Sequence, residues 1–196
     1  MRTRDENKEQ LVRQKALELI VNQGLEGFSM QKLAKAAAVS PATLYIYYKD
    51  KEDLITQIGI EIGKKFSATI LQNFDPTLPF AEGLRIQWRN RAKYAIQNRL
   101  ETEFYQQMRS SSFRDKVMGS FMGEFKTVMG QFVHNSVQRG ELSPMPIEVF
   151  WSVAYAPLYN LIQFHNEGHS LGGKRFEFSE ETMNQTFELV LKALKP

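Results

Sequence analysis

The sequence of 196 residues has no cysteine and only three histidines. Without a thiol there is no disulfide framework, no thiolate metal site and no cysteine nucleophile. That absence suits a reducing cytoplasm. No run approaches the roughly 18 consecutive apolar residues that a membrane span needs. The opening stretch, MRTRDENKEQ, is polar and charged and lacks the apolar centre of a signal peptide. A cytoplasmic protein with no membrane contact is the expectation. Strand-like alternation persists over no useful length. There is also no serine–histidine–acid arrangement and no pair of carboxylates at a recognisable catalytic spacing, so no catalytic residue is nominated and no enzyme is expected.

Two patterns imitate sites. Gly168-His-Ser-Leu-Gly-Gly-Lys174 has the spacing of a phosphate loop, but Arg175 stands where a hydroxyl should hold magnesium, and a helical segment precedes it. His165 and His169 are four apart, as two ligands on one helical face would be, but Gly168 lies between them and a third ligand is missing. No metal and no cofactor are expected.

Helical periodicity runs through the chain. Val12, Ala16, Leu19 and Ile20 form one apolar stripe, and Gly24 follows it where a C-terminal cap belongs. Ser29 is placed as an N-cap before Met30, Leu33, Ala34 and Ala37, which line the next buried face. A turn at Ala38-Val39 leads to Ser40-Pro41, an N-cap serine with proline at the first helical position. Asp50 then caps a long helix, with Asp53 completing a short-armed capping box. Leu54, Ile58, Ile62, Phe66, Ile70 and Phe74 follow at four-residue steps to the break at Asp75-Pro76. Further helices are expected at about 80–98, 101–109, 113–138, 146–167 and 179–194, with ends uncertain by about two to four residues. The expectation is an all-α chain of about nine helices. Residues 1–52 form a three-helix head, and 53–196 form a body whose first helix connects the two.

The segment from Ser40 to Tyr47 combines a packed back with a slim front. With Leu44 inward and 100° per residue, Tyr48 also points inward, Ala42 and Ile46 point out, and Thr43 and Tyr45 lie on the shoulders. An apolar Ile46 on the outer face has no folding rationale. In a major groove it can pack on a thymine methyl, while Ala42 permits close approach to base edges. No outward Arg, Asn or Gln offers a bidentate contact, so DNA shape and water would carry part of the specificity. Between Gln31 and Lys51 four lysines (Lys32, Lys35, Lys49, Lys51) face one acid, Asp50. Such a local excess suits phosphate contacts, and it suits a solvated helix face equally well. Arg2 and Arg4 could reach a minor groove as an arm, or form a frayed tail.

Leu44-Tyr45-Ile46-Tyr47-Tyr48-Lys49-Asp50-Lys51-Glu52-Asp53-Leu54 resembles the end of the head of TetR-type (TetR/AcrR) transcriptional regulators, Leu-Tyr-x-His/Tyr-Phe-x-x-Lys-x-x-Leu. The resemblance covers roughly residues 7–65. It implies Ser29 and Gln31 near the DNA backbone, Ser40, Pro41, Ala42, Thr43, Tyr45 and Ile46 in or at the groove, and Tyr47 and Lys51 on phosphates. Two positions depart from the pattern: Tyr48 replaces the usual Phe, and Ala38 stands where the turn usually has Gly. If that position needs φ > 0, Ala costs about 1 kcal/mol.

The resemblance also implies a homodimer through the last two helices and a small-molecule effector held in the body. Ile147, Phe150, Trp151, Ala154, Leu158 and Leu161, with Phe187, Leu189, Val190, Leu191 and Leu194, are apolar enough to bury a face against a partner. They would equally close the monomer's own core. The middle of the body is rich in Met and aromatic residues, which line adaptable cavities and also fill ordinary cores. The candidate pocket residues are Trp88, Tyr94, Phe104, Met108, Phe121, Met122, Phe125, Tyr155 and Tyr159, with a hydrophobic or aromatic effector. The reading is a ligand-responsive regulator, a repressor that leaves a palindromic double-stranded operator when its effector binds. The alternative is a TetR-like protein that acts through a protein partner without binding DNA.

Overall fold

A computed structural model describes residues 6–196; Arg2 and Arg4 lie outside the described residues. These residues are all-α and form eleven helices: α1 Glu6–Gly27, α2 Met30–Ala36, α3 Pro41–Tyr47, α4 Lys51–Ile70, α5 Phe80–Gln97, α6 Arg99–Arg109, α7 Arg114–Gly119, α8 Met122–Gln138, α9 Ile147–Ala154, α10 Ala156–Glu167 and α11 Glu180–Leu194. The chain divides into two compact units. One comprises the residues up to Phe66 together with Asn98–Met122, and the other comprises Ser67–Gln97 together with Gly123–Pro196.

The count exceeds the expected nine because two long segments are broken. The first break lies at Ser120, whose hydroxyl donates to the Lys116 carbonyl at 3.0 Å while Ser120 N–H and Phe121 N–H take tight i−3 bonds to Val117 and Met118. Back-bonding of this kind bends a helix. The second lies at Tyr155 (φ −125°), two residues before Pro157, which has no N–H and is tolerated as the second residue of α10. α4 also stops sooner than its apolar steps suggest. It ends at Ile70, and Asn73 turns the chain at φ 56°, so Phe74 lies beyond the helix.

In the first unit Val12, Ala16 and Ile20 of α1, Leu33 of α2, Leu44 of α3 and Leu54 and Ile55 of α4 are fully buried. Phe104 and Met108 of α6 and Val117 of α7 complete the same cluster. The Gln107 side chain donates to the Val21 carbonyl at 3.1 Å, tying α6 to α1. α1 kinks at Gly24, whose φ of 74° with ψ of 165° is open only to glycine, and continues to Gly27 instead of stopping at Gly24 as its stripe suggests.

In the second unit the indole N–H of Trp88 donates to the Ala154 carbonyl at 2.8 Å, and the buried Gln87 amide donates to the Ile70 carbonyl at 2.7 Å. Phe132 is fully buried between Phe74, edge-on at 5.0 Å, and Phe80, stacked at 5.8 Å. A Cβ on Gly83 would stand 2.5 Å from the Phe132 ring, which is clamped and cannot yield cheaply. Gly83→Ala is therefore expected to lower the stability of folding by about 1–3 kcal/mol, read from urea unfolding; an unchanged midpoint would show that the ring can shift.

Candidate nucleic-acid interface

α2 and α3 are short, and each is started by a serine. Ser29 Oγ accepts from Lys32 N–H at 3.3 Å, and Ser40 Oγ accepts from Thr43 N–H at 3.2 Å. The Ser40 and Thr43 hydroxyls also meet at 2.9 Å. Pro41 opens α3 and Leu44 is the one buried residue within that helix. Tyr48, just past its end, has an extended backbone and a ring only 1% exposed.

The opposite face is open. Tyr45 is 56% and Ile46 46% exposed. Ser40, Pro41, Ala42 and Gln31 are exposed, and Ser29, Thr43, Tyr47 and Lys51 are half-buried. α3 thus brings Pro41, Ala42, Tyr45 and Ile46 onto one accessible face. Tyr45 lies further out than the shoulder position expected of it, and Thr43 leans back on its cap. Tyr47 packs against the head's core and lies 6.3 Å from the Tyr48 ring.

The end of α3 runs into a tight cap on α4. Asp53 N–H donates to Asp50 Oδ1 at 2.8 Å, and Lys49 N–H donates to Asp53 Oδ2 at 2.9 Å. The reciprocal arm thus reaches Lys49, one residue before the Asp50 N–H that a full capping box would use. Hydrogen bonds from the Gln57 side chain and the Lys49 backbone, aided by the Lys116 and Lys49 charges, hold the Asp53 carboxyl below its ordinary value. Its contribution to stability is therefore present above the ordinary carboxylate pKa and lost as pH falls through the lowered one. At neutral pH the cap is charged and intact.

Two details alter the electrostatic picture drawn from composition. The Lys32 ammonium donates to the Gly27 carbonyl at 2.6 Å and to Gln23 Oε1 at 2.9 Å. It closes the last turn of α1 and does not stand free for a phosphate. The Lys51 ammonium lies 6.0 Å above the centroid of the Phe28 ring. Neither role has a spacing signature, because both depend on how α1 meets α2.

The nine body residues nominated from composition fall into both units. Phe104, Met108 and Phe121 are buried in the core of the first, with Met122 packed against it. Trp88, Tyr94, Phe125, Tyr155 and Tyr159 belong to the second. There the structure gathers Phe125, Tyr155 and Tyr159 around Arg91, which is 1% exposed. The guanidinium stands 4.4 Å from the Tyr155 ring, 5.3 Å from Trp151 and 5.6 Å from Phe125, and it donates to Tyr159 Oη at 2.8 Å and to Gln87 Oε1 at 3.2 Å. Burial pushes the Tyr155 phenol up to about 12, against the opposing pull of the Arg91 charge. Trp88 instead meets Phe187 edge-on at 5.3 Å. Composition does not single out Arg91 or Trp151. Arg91 is the one cation among the buried residues of α5, and its i−4 relation to the polar Gln87 is the available signal.

Residues 12–58 match the model of the bacterial regulatory proteins, tetR family. Over this head segment the chain is similar to the tetR family. An uncharacterized HTH-type transcriptional regulator of Haemophilus influenzae is 42% identical over 72 residues, covering 37% of this chain and 38% of the relative. The HTH-type transcriptional regulator YhgD of Bacillus subtilis is 28% identical over 90 residues, covering 46% of this chain and 44% of the relative. The matches thus span about two fifths of these relatives' length. The crystal structure of a TetR family transcription regulator from Marinobacter aquaeolei superposes with a TM-score of 0.82 at 25% identity, over 99% of this chain and 98% of that one.

The turn between α2 and α3 contains Ala38 at φ 52°, in the left-handed region. The methyl group is disfavoured there by about 1 kcal/mol. Ala38→Gly should therefore raise the stability of folding by up to about 1 kcal/mol, with part of the gain lost to the freer unfolded chain. Urea unfolding of the two proteins checks the sign, and a less stable glycine variant would contradict the strain argument.

Proposed function

We propose that this protein is a transcriptional regulator whose head docks in the major groove of an operator through α3, with phosphate contacts around it. The observation that carries the reading is the pairing on α3 of a fully buried Leu44 with an exposed Ile46 and Tyr45. An apolar side chain facing out beside small Ala42 fits a thymine methyl and a close backbone approach. Ser29, Gln31, Ser40, Pro41, Ala42, Thr43, Tyr45, Ile46, Tyr47 and Lys51 are proposed to form the interface. Lys51, the first residue of α4, would share a phosphate with the N-terminal N–H groups of that helix.

A two-fold dimer through residues 146–167 and 179–194 would present two heads to a palindromic site. Phe150, Ala154, Leu158, Phe187, Val190, Leu191 and Leu194 are buried within the chain itself. The side chains left for a partner are led by Ile147, Val149 and Leu189, which are 58%, 47% and 65% exposed. Successive major grooves on one face lie about 34–36 Å apart. A tilt of α4 on effector binding would alter the separation of the heads and release the operator, which makes the protein a repressor.

The effector is proposed to be hydrophobic or aromatic and to bind by the cluster around Arg91. It would also carry a hydrogen-bond acceptor. Arg91 donates to a phenol and an amide, and an anionic acceptor makes a stronger, charge-assisted bond than either. An arylcarboxylate such as 2-naphthoate should raise the melting temperature more than 2-naphthamide does. Equal shifts from the two would remove Arg91 from the site.

Fluorescence anisotropy on duplexes from the protein's own upstream region tests the DNA reading. Affinity should fall steeply with salt, with a palindromic footprint. Lys51→Ala should weaken all sequences alike, and Ile46→Ala should relax preference at one thymine position. Intact specificity in Ile46→Ala would overturn the groove orientation. Salt-independent association with another protein, with no footprint, would favour a partner-binding role.

A further inference from the structure

We infer that Phe28 is a positioning residue for the Lys51 ammonium, and through it for the docking of a duplex phosphate; the inference rests on the DNA-docking reading above. Lys51 is the first residue of a helix of 20 residues. A cation is disfavoured at that end, where the helix dipole is positive. The acids that suit the position, Glu52 and Asp53, follow directly. Lys51 also has a long, flexible stem that samples many rotamers in water. The ring of Phe28 answers both difficulties. Its face lies 6.0 Å from the ammonium and attracts it by its quadrupole.

The platform cannot swing away. Phe28 is 2% exposed and belongs to the head's core cluster. The corner that carries it is pinned on both sides. Before it, the Lys32 ammonium holds the Gly27 carbonyl; after it, Ser29 caps α2. The half-buried Lys51 stem therefore starts from a restricted set of positions, and less freedom is lost when the ammonium meets a phosphate.

A double-mutant cycle tests this on the full chain, with anisotropy of a labelled upstream duplex at several salt concentrations. Phe28→Leu should weaken binding about 2–5-fold, equally for all sequences, and leave the salt slope unchanged because the charge is still present. Lys51→Ala should lower that slope by about 0.9, the share of a single neutralised phosphate. Adding Phe28→Leu to Lys51→Ala should then cost nothing further. Phe28→Tyr, which keeps the ring face, should bind as the parent does. Pentafluorophenylalanine at position 28 keeps the ring but reverses its quadrupole, and should reproduce the loss if the leucine variant folds poorly. An equal loss from Phe28→Leu with and without Lys51, or full affinity in the fluorinated protein, overturns the inference while leaving the docking reading in place. A parent protein that binds no duplex at any salt concentration overturns the docking reading itself.

Discussion

A helix of seven residues does not persist in water by itself, because too few hydrogen bonds follow its costly first turn. α3 is such a helix, and it buries one side chain, Leu44. The open face of α3 depends on that single anchorage. Ser40 supplies the cap, Tyr48 fixes the exit, and α1, α2, α4, α6 and α7 supply the walls of the cluster that receives Leu44. One inward residue is enough because the others do the enclosing. The outer side is thereby released from packing duty, and small or apolar groups can stand there for another reason.

Local signals reach far into the head. The serine caps, Pro41 and the apolar stripes mark α2 and α3 closely, because capping and side-chain period are written over three or four residues. The positive φ of Ala38 is likewise legible as a condition of the turn. The role of Lys32 is not, since its charge enters a count whether it faces solvent or the end of α1. In the second half, apolar residues continue on both sides of Tyr155, so period alone does not reveal the break that Pro157 imposes. The Met and aromatic residues of the middle segment give no sign of which core each will join. Phe104 and Tyr159 look alike in composition, and only the return of residues 98–122 to the head separates them.

The second unit is held by polar groups that reach far along the chain. Trp88 bonds to Ala154, Gln87 to Ile70, Asn135 to Pro76 and Arg139 to Leu78. Each satisfies a backbone carbonyl at a helix end or in a connection, where an unpaired group would otherwise be costly. The aromatic rings then fill the space between these pins. The Arg91 cluster differs in kind: a charge, two phenols, an indole and a phenyl ring share one neighbourhood, and the guanidinium is held by rings and side-chain oxygens.

The core of the first unit is drawn from two separate stretches, residues up to Phe66 and Asn98–Met122. Phe104, Met108, Val117 and Phe121 come from the second stretch, yet they share a cluster with α2 and α3. The head is therefore not a portable module. A fragment cut after α4 would lack four large apolar side chains and expose the faces they cover. In evolutionary and engineering terms, the open face of α3 cannot be grafted onto another body as one continuous piece of chain; it must travel with α6 and α7.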